Sequence, residues 1–384
     1  MLQKAWQAGK WCWPMGEFLR KIDWSSIHRE RSLRFYTPVL AFFSGCYGLA
    51  QRLRYAAYDL GILKQKRLPG MVVSVGNLTA GGTGKTPAVA ALAQWAVCRE
   101  FNVSILSRGY GGAYQSPVLE VSDGRRVHAD SRLAGDEPLL LAGKVPGVPV
   151  ILSRQRHLAG MYAKEKFSSD FFILDDGFQH MQLARDFNLV LMDGADPFGN
   201  GHLLPRGPLR EPMDQLARAD AFILTRFNHD GGDRTLAFLK ETYPDTPAYC
   251  ADHVPDRIVF PGPNRVDSPH VDSPHALNGK RVVAFAGIGN PEVFRETLEG
   301  LGARVVAFCG FQDHYVYRKD DLARLVRLKS QRAAQYLLTT EKDWMRMDSI
   351  GSECSEIAYL CIQFSFLPGQ EGVFRMIENA YRKK

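Results

Sequence analysis

Short apolar runs alternate with alanine-rich or amphipathic segments through most of the chain. The apolar runs have the length and composition of buried strands, and they occupy residues 71–75, 102–106, 149–152, 171–174, 189–192, 221–224, 281–286, 336–340 and 357–366. The segments between them have helical periodicity, at residues 85–98, 139–142, 154–166, 291–300, from 320 onward and 371–382. This alternation predicts an α/β fold with a doubly wound, parallel sheet, whose site lies at the carboxyl ends of the strands.

The pattern is interrupted at residues 254–279, which are rich in proline and which we predict to be a loop. This stretch contains a tandem pentapeptide, VDSPH, at 266–270 and 271–275. Its two histidines could suggest a metal site, but a duplicated, solvated loop is the interpretation we favour. A second α/β unit begins after it, and 384 residues are enough for two domains with sizeable cores.

The first 68 residues differ in composition from the rest of the chain. They hold twelve lysines and arginines against four acids, whereas the net charge of the whole chain is +7. The remainder is therefore close to neutral, which argues against nucleic-acid binding by the whole protein. Four of the six tryptophans also lie in this N-terminal arm, at Trp6, Trp11, Trp13 and Trp24.

An apolar run at residues 35–50 lies between basic residues of the arm. It has sixteen residues and contains Pro38, so it is short for a transmembrane helix, which needs about twenty. Tryptophan, basic residues and an apolar stretch together are typical of a helix in a membrane interface. A helix packed on the protein's own core is the alternative.

Seven scattered cysteines without a C-x-x-C pair, and no visible signal peptide, indicate a reducing compartment.

A glycine-rich turn joins the first predicted strand to the helix that follows it. The turn contains Gly81, Gly82, Thr83, Gly84, Lys85 and Thr86. Glycines let backbone N–H groups approach phosphate oxygens, and the N-terminus of the next helix points its dipole at the same anion. In such a loop the lysine reaches the β- and γ-phosphates and the threonine hydroxyl binds magnesium. Thr79 stands where the general motif has glycine, and an ordinary glycine-rich turn is the alternative.

A further predicted strand, at residues 171–176, ends in two acids, Asp175 and Asp176. In a P-loop protein, a buried strand beside the P-loop strand brings a carboxylate to the magnesium ion. Gln179 and His180 follow directly. The two motifs together predict ATP and Mg²⁺ as ligands of this edge of the sheet.

Two loops could complete the site. SRGYGG, at residues 107–112, contains Arg108, which could meet a phosphate, although a plain turn is equally compatible with the sequence. GNGHLLPRGPLREP, at 199–212, is basic and irregular. It suits recognition of an anionic or polyhydroxylated substrate, and a surface connector is the alternative.

Together these motifs resemble those of the tetraacyldisaccharide 4′-kinase family, the lipid A 4′-kinases. The similar segments run in the family's order from about residue 33 onward: GNLTAGGTGKTP, SRGYGG, GDEPLLLA, ILDDGFQH, LLPRGPLREP, FQDHY and LLTTEKDW. ILDDGFQH with the P-loop that begins at Thr79 is far more specific than a P-loop alone. The resemblance also implies that a threonine at position 79, in place of the glycine of the general motif, is typical of the family. The first thirty residues and the VDSPH duplication depart from the family pattern but touch no motif.

The resemblance implies transfer of the γ-phosphate of ATP, with magnesium, to the 4′-hydroxyl of a tetraacyldisaccharide 1-phosphate, which gives lipid IVA. It implies that Asp136 is the general base, coupled to His314, since a positioned carboxylate can take the proton of a sugar hydroxyl. Thr86 and Asp175 are implied as magnesium ligands. The implied nucleotide site comprises Thr79, Gly81, Gly82, Thr83, Gly84, Lys85, Thr86, Asp176, Gln179, His180, Arg210 and Glu211.

The family fold implies a P-loop α/β/α domain and a second, smaller α/β/α domain joined by a two-stranded ribbon, with the substrate in the cleft between them. On this chain we predict the arm with its membrane-associating helix at 1–68, the kinase domain at 69–222, the second domain at 223–355, and a ribbon strand with a returning helix at 356–384. A lipid substrate would explain the arm, which would hold the enzyme at the cytoplasmic face of the bacterial inner membrane. The expected partners are this lipid and the membrane surface, with no nucleic acid and no obligate protein partner.

Two alternatives from the sequence remain open at this point. One is a different P-loop kinase or ATPase with a soluble substrate, which would need neither detergent nor lipid for activity. The other is a basic tethering module that binds nucleotide as a switch, for which Asp136 and His314 would have no chemical role.

Overall fold

A computed structural model of the chain describes residues 37–227, 231–261, 270–347, 350–351, 354–369 and 372–384. The tryptophans of the arm and most of the first VDSPH copy lie outside these residues, and so do the predictions that concern them.

The described helices and strands follow the predicted alternation. In chain order they are α1 (Thr37–Asp59), β1 (Met71–Asn77), α2 (Lys85–Cys98), β2 (Val103–Ser107), β3 (Leu119–Ser122), α3 (Ser131–Ala134), α4 (Asp136–Lys144), β4 (Val150–Leu152), α5 (Arg156–Phe167), β5 (Phe171–Asp175), β6 (Phe187–Asp193), β7 (Ala221–Thr225), α6 (Gly232–Thr242), β8 (Ala248–Phe260), β9 (His270–Asp272), β10 (Arg281–Ala286), α7 (Pro291–Gly300), β11 (Arg304–Gly310), α8 (Lys319–Gln331), β12 (Tyr336–Thr340), α9 (Glu341–Arg346), β13 (Ile357–Phe366) and α10 (Gly372–Arg382). Short 3₁₀ turns lie at Met213–Arg218 and Pro274–Leu277.

The strands form one mixed sheet in the order β11-β10-β12-β13-β8-β7-β6-β1-β5-β2-β4-β3, with β9 paired to β8. The P-loop strand β1 lies between β5 and β6 and is parallel to both. Antiparallel pairs among the described strands are β3 with β4, β8 with β9, and β8 with β13. The α/β prediction is confirmed, and the sheet is mostly rather than wholly parallel.

Helices cover both faces of the first half of the sheet. Successive side chains of a strand point to opposite faces, so a strand that is apolar throughout needs cover on both sides. Val73 and Val75 of β1 pack in one core with α2, whereas Val72 packs in another with α5. Buried residues on both faces are what a doubly wound sheet requires. The terminal helix α10 returns to this half, where Phe374 stacks on Trp95 at 4.9 Å between ring centroids.

Strands β8 and β13 join the two halves of the sheet. The start of β8 pairs with β7 and the start of β13 with β12, while the two strands pair antiparallel from Val259 opposite Tyr359 to Ala251 opposite Phe366. This pair has the form of the two-stranded ribbon implied by the family resemblance, and the exact domain boundaries stay a prediction.

The prediction of a loop from residue 254 was wrong, because β8 continues to Phe260. Pro255 is accommodated beside a register shift, where it lies opposite Ile362. A strand tolerates proline at such an irregularity because the ladder hydrogen bond is already disrupted there.

Helix α1 lies against the first half with a narrow buried stripe, Thr37, Ser44, Gly48 and Tyr55. Its opposite face exposes large apolar side chains, at Val39, Phe42, Phe43, Leu49 and Leu53. No helix in the described part of the chain is both long enough and apolar enough to cross a membrane.

Candidate active site

The P-loop connects the end of β1 to the start of α2 at the carboxyl edge of the sheet. Gly84 immediately precedes the helix and has φ +76°, a conformation that side chains disfavour. A Cβ atom at Gly84 would also lie 2.1 Å from the ring of His253, which belongs to β8. Glycine is therefore needed here for both backbone conformation and space.

Lys85 is held at this edge by short-range contacts. Its Nζ donates a hydrogen bond to Oδ1 of Asn77 at 3.1 Å and lies 3.6 Å from Oδ1 of Asp176. Asn77 in turn donates to the backbone oxygen of Thr79 at 2.7 Å, and its own carbonyl accepts from Gln179 at 2.8 Å. The lysine ammonium is thus fixed between the P-loop and the acids that end β5.

Asp175 and Thr86 provide hard oxygen ligands at the same edge. Both residues are buried, and Ser107 donates a hydrogen bond to Oδ2 of Asp175 at 2.9 Å. Burial, with the negative charges of Glu137 and Asp176, raises the pKa of Asp175 to about 6. A buried carboxylate with a raised pKa fits a divalent cation, since Mg²⁺ prefers oxygen ligands. The oxygen donors of both predicted magnesium ligands are chemically compatible with such an ion.

Asp176 has a different environment from its neighbour. Its backbone has φ +52°, which is uncommon for a residue with a side chain, and this turns the carboxylate toward basic groups. Nη1 of Arg210 lies 2.9 Å from each carboxylate oxygen. Although burial favours the neutral acid, the charges of Lys85 and Arg210 outweigh it and lower the pKa of Asp176.

The loop at 199–212 is attached to the P-loop by backbone hydrogen bonds. Ala80 N–H donates to the carbonyl of Pro208 at 2.7 Å, and Arg210 N–H donates to that of Leu78 at 2.8 Å. Thr79 and Leu209 form an antiparallel bridge. The loop is therefore part of the site edge rather than a detached surface connector.

Glu211 lies behind this edge and not on it. Its side chain is fully buried and forms an ion pair with Arg218. Burial raises its pKa in spite of that pair. Arg218 also stacks over the ring of Phe178, 4.2 Å from its centroid. Glu211 thus anchors the segment that presents Arg210, and its place in the nucleotide site stays a prediction.

His180 and Gln179 follow the two acids on the same turn. Gln179 reaches β1 as described above, and its Oε1 is 3.5 Å from Nη1 of Arg210. Burial, together with Arg156 and Arg185, lowers the pKa of His180 to about 3. His180 is therefore neutral at physiological pH and is surrounded by basic side chains that suit an anionic ligand.

Asp136 and His314 meet, as the family resemblance implied. Oδ2 of Asp136 and Nδ1 of His314 are 3.2 Å apart, although the residues are 178 positions apart in the chain. Asp136 begins α4 directly after Gly135, which has φ +81°. A Cβ atom at Gly135 would also lie 2.6 Å from the carbonyl oxygen of Tyr110, so a side chain would not fit there. His314 has a positive φ of 59°. Such strained backbones often occur at functional sites.

Two further basic residues at the site were missed by reasoning from the sequence. Arg346 contacts Asp136, with 2.5 Å between Nε and Oδ2. Arg156 is buried at the start of α5, where its charge acts on Asp175 and Asp176, and burial lowers its pKa. Arg346 lies just beyond the LLTTEKDW segment, but its position two residues after that motif carried no chemical signal of its own.

Comparisons with known proteins agree on one family. The family model for LpxK, tetraacyldisaccharide-1-P 4′-kinase, matches residues 36–382. A tetraacyldisaccharide 4′-kinase of Pelobacter propionicus is 41% identical over 332 residues, which cover 86% of this chain and 89% of that protein. One from Syntrophus aciditrophicus is 40% identical over 347 residues, covering 87% of this chain and 90% of that protein.

A solved structure has a similar fold. It is LpxK from Aquifex aeolicus in complex with ATP, with a TM-score of 0.70 and 31% sequence identity. The match covers 90% of this chain and all of that one.

Proposed function

Because the chain belongs to the tetraacyldisaccharide 4′-kinase family, we propose a mechanism by which its residues transfer phosphate from ATP to their lipid acceptor. The protein is an ATP-dependent kinase of lipid A biosynthesis, which phosphorylates the 4′-hydroxyl of tetraacyldisaccharide 1-phosphate. The observation that carries the mechanism is the contact between Asp136 and His314.

The P-loop supplies the phosphate site. Backbone N–H groups of Gly81 to Gly84 and the N-terminus of α2 would bind the triphosphate, and Lys85 would offset charge on its terminal phosphates. Thr86 and Asp175 would hold the magnesium ion, which would neutralise charge on the transferred phosphate. Arg210 holds Asp176 ionised beside Lys85, so that the lysine is oriented before the nucleotide arrives.

Asp136 removes the proton from the acceptor hydroxyl. It starts α4, and the next residue, Glu137, is close enough to Asp175 for its charge to raise the pKa of that acid. From this we infer that the Asp136 carboxylate lies near the magnesium edge, where an acceptor hydroxyl would approach the γ-phosphate. His314 orients the carboxylate through its Nδ1. General bases of this kind contribute about 10²–10⁴-fold to rate.

The acylated substrate approaches between α1 and the loop at 199–212. A cavity of about 400 Å³ lies there and is lined in part by Arg52, His202 and Arg206. Basic side chains suit the phosphate of the substrate, and the exposed apolar face of α1 suits its acyl chains or the membrane that carries them. On this basis the enzyme works at a membrane surface, at the cytoplasmic face of the inner membrane.

The test is a phosphoryl-transfer assay with labelled ATP and tetraacyldisaccharide 1-phosphate in mixed micelles. Asp136→Asn should lower kcat by at least about a hundredfold and leave the KM for ATP nearly unchanged, because the base acts on the acceptor. His314→Ala should do the same more mildly. If the two residues act as a unit, the double variant should be little slower than Asp136→Asn alone.

Two outcomes would contradict the mechanism. Fully multiplicative losses in the double variant would show that Asp136 and His314 act independently. A large rise in the KM for ATP in Asp136→Asn would place this carboxylate in the nucleotide or magnesium site instead.

A further inference from the structure

Helices α4 and α9 bring the two halves of the sheet together through oppositely charged side chains. Arg346 pairs with Asp136 at 2.5 Å, Lys342 with Glu137 at 3.1 Å, and Lys144 with Glu341 at 2.6 Å. Of the three, only the Arg346 pair includes the proposed general base. The interface between the halves therefore passes directly through the group that acts on the substrate.

Arg346 is held rigidly from behind. Its side chain is only 4% exposed, and Nη1 donates to Oδ1 of Asp343 at 3.1 Å and to the carbonyl of Gly287. Asp343 is itself fully buried, and its Oδ2 accepts hydrogen bonds from Gly287 N–H at 3.0 Å and Thr340 at 2.7 Å. A guanidinium anchored in this way has one orientation toward the first half.

From this anchor, Arg346 contacts both members of the proposed pair. Nε lies 2.5 Å from Oδ2 of Asp136, and Nη2 lies 3.3 Å from Nδ1 of His314. His314 approaches the same oxygen, Oδ2. Within the described part of the chain, the structure gives Oδ1 of Asp136 no hydrogen-bond partner, so this second oxygen is left to accept the proton of the acceptor hydroxyl.

We propose that Arg346 is a positioning residue, which orients the Asp136 carboxylate, keeps it ionised and makes its assembly depend on contact between the two halves. This inference rests on the proposed role of Asp136 as general base. In this role Arg346 acts through Asp136 and contacts neither the nucleotide nor the acceptor.

The charges around Asp136 predict the effect of pH. His314 and Arg346 face it directly, Asp313 and Asp343 lie behind Arg346, and Glu137 and Lys342 lie beside it. Burial favours the neutral acid, but His314 and Arg346 outweigh it and lower the pKa of Asp136. Removal of the Arg346 charge should therefore raise that pKa and move the acid limb of the rate profile to higher pH.

The experiment compares the pH dependence of kcat in the full-length enzyme for Arg346→Gln, Arg346→Lys and a control, Lys329→Gln. The control removes a cation of α8 that pairs with Glu356 at 2.9 Å, in the same half of the sheet as Arg346. Arg346→Gln should lower kcat at pH 7 by about tenfold or more, leave the KM for ATP within about twofold, and shift the acid limb up by about one pH unit. Arg346→Lys keeps the charge and should retain the position of the acid limb, and Lys329→Gln should match the wild type.

Asp343→Asn provides a second variant in case Arg346→Gln does not fold. It keeps the size and the acceptor oxygen of Asp343 but weakens the anchor of Arg346, so the acid limb should shift in the same direction by a smaller amount. Thermal unfolding with and without ATP verifies that each variant folds and binds nucleotide.

The outcomes separate this inference from the proposed function. If Asp136→Asn is inactive while folded Arg346→Gln keeps a wild-type kcat and acid limb, Arg346 does not position the base. A uniform loss of kcat without a shift of the limb would also overturn the inference, because it indicates a structural role alone. If Asp136→Asn itself retains activity, the proposed role of Asp136 as general base fails, whatever Arg346 does.

Discussion

At the scale of single residues, the two acids that end β5 illustrate how environment assigns different roles to identical side chains. Asp175 is buried against Ser107 and has a pKa raised to about 6. Asp176, one residue later, turns through a positive φ toward Lys85 and Arg210, and its pKa is lowered. At Asp175 burial and neighbouring acids outweigh the nearby cations, whereas at Asp176 the charges of Lys85 and Arg210 outweigh burial. This contrast fits a cation ligand followed by an anchor for Lys85.

The raised pKa of Asp175 predicts a conflict between stability and function. The folded protein holds this proton more tightly than the unfolded chain does, so the ionised group opposes folding at pH 7. This cost declines as the pH falls below about 6 and is absent below the ordinary pKa of 3.8. Asp175→Asn should therefore stabilise the ligand-free protein, by about 1–3 kcal/mol, and should abolish magnesium-dependent turnover. Thermal unfolding without ligand and a kinase assay measure the two effects.

Asp176→Asn is the matched control for that prediction. Its lowered pKa means that the ionised form is favoured in the folded state, a contribution that is present at neutral pH and lost as the pH falls through that lowered pKa. The variant should be no more stable than the wild type. If both variants stabilise the protein equally, the contrast between the two environments does not exist.

Lys85 should be essential for transfer. Lys85→Ala removes the cation that offsets phosphate charge, and we expect kcat to fall by about a hundredfold or more at saturating ATP. Lys240→Ala, which removes an exposed lysine from α6, should leave kcat unchanged. Turnover close to that of the wild type in Lys85→Ala would refute the phosphate site described here.

At the scale of elements, α1 has two faces with different tasks. Polar side chains on one face of α1 donate hydrogen bonds to backbone carbonyls at the edge of the site. The donors and acceptors are Ser44 to Leu203 at 2.9 Å, Tyr47 to Arg210 at 2.7 Å, and Arg54 to Gln179 at 3.1 Å. The opposite face is apolar and exposed. A helix of this kind can connect a membrane surface to the site without crossing the bilayer.

The exposed face of α1 should bind membranes. The variant Phe42→Ser, Leu49→Ser and Leu53→Ser removes three side chains that are 67%, 60% and 63% exposed, so the fold should keep its thermal midpoint. Flotation with vesicles of phosphatidylethanolamine and phosphatidylglycerol should show a clear loss of binding, because buried apolar area drives interfacial insertion. High salt should weaken binding of the wild type as well, since basic attraction to anionic lipid is screened.

Val127→Ser is the control for the flotation experiment. Val127 is 53% exposed in the connection between β3 and α3, away from α1. This variant should float with the vesicles as the wild type does. Undiminished binding of the triple variant would exclude this face of α1 as the membrane contact.

At the scale of the whole molecule, two connections hold the halves of the sheet together. One is the covalent path through β8 and β13, which pair antiparallel over most of their length. The other is the contact between α4 and α9, with its three ion pairs. The covalent path sets which strands of the two halves are neighbours. Within the α4–α9 contact, the Arg346 pair sets how the proposed base meets its partners.

The ion pairs of that contact should differ in their effect on stability. Lys144 and Glu341 are nearly buried, and Lys144 also donates to the carbonyl of Ile362 at 2.9 Å. Lys144→Met leaves the Glu341 carboxylate without its cation and should cost on the order of 3 kcal/mol. Lys342→Met breaks a more exposed pair with Glu137 and should cost less than about 1 kcal/mol.

A double variant completes the comparison. Lys144→Met with Glu341→Gln removes the charge that the single variant strands, so most of the lost stability should return. Thermal and urea unfolding of the four proteins measure these differences. Equal losses in Lys144→Met and Lys342→Met would contradict the assignment of the buried pair as the stronger constraint.

Local sequence determined much of this protein, where the relevant forces act over a few residues. The strands β10, β12 and β13 and the helix α7 have the predicted ends, because apolar runs, glycine turns and a proline at the first helical position are short-range signals. The phosphate-binding loop and the pair of acids at the end of β5 could also be predicted, since the residues of each motif are adjacent in the chain. The family motifs identified the reaction on the same basis.

Other features depended on partners that are distant in the chain. The second half of β8 lies in the proline-rich stretch predicted to be a loop. Pro255 is unfavourable in a strand unless a partner such as β13 provides a register shift opposite it. Strands β3, β8, β9 and β11 and helices α3, α6 and α9 were not predicted.

Only the tertiary structure decided the charge states and the assembly of the base. Asp175 and Asp176 have the same side chain, and burial and neighbouring charges separate their pKa values in opposite directions. Arg346 reaches Asp136 across 210 positions of sequence. No local pattern encodes such a contact, because it exists only when β8 and β13 have joined the halves and α4 meets α9.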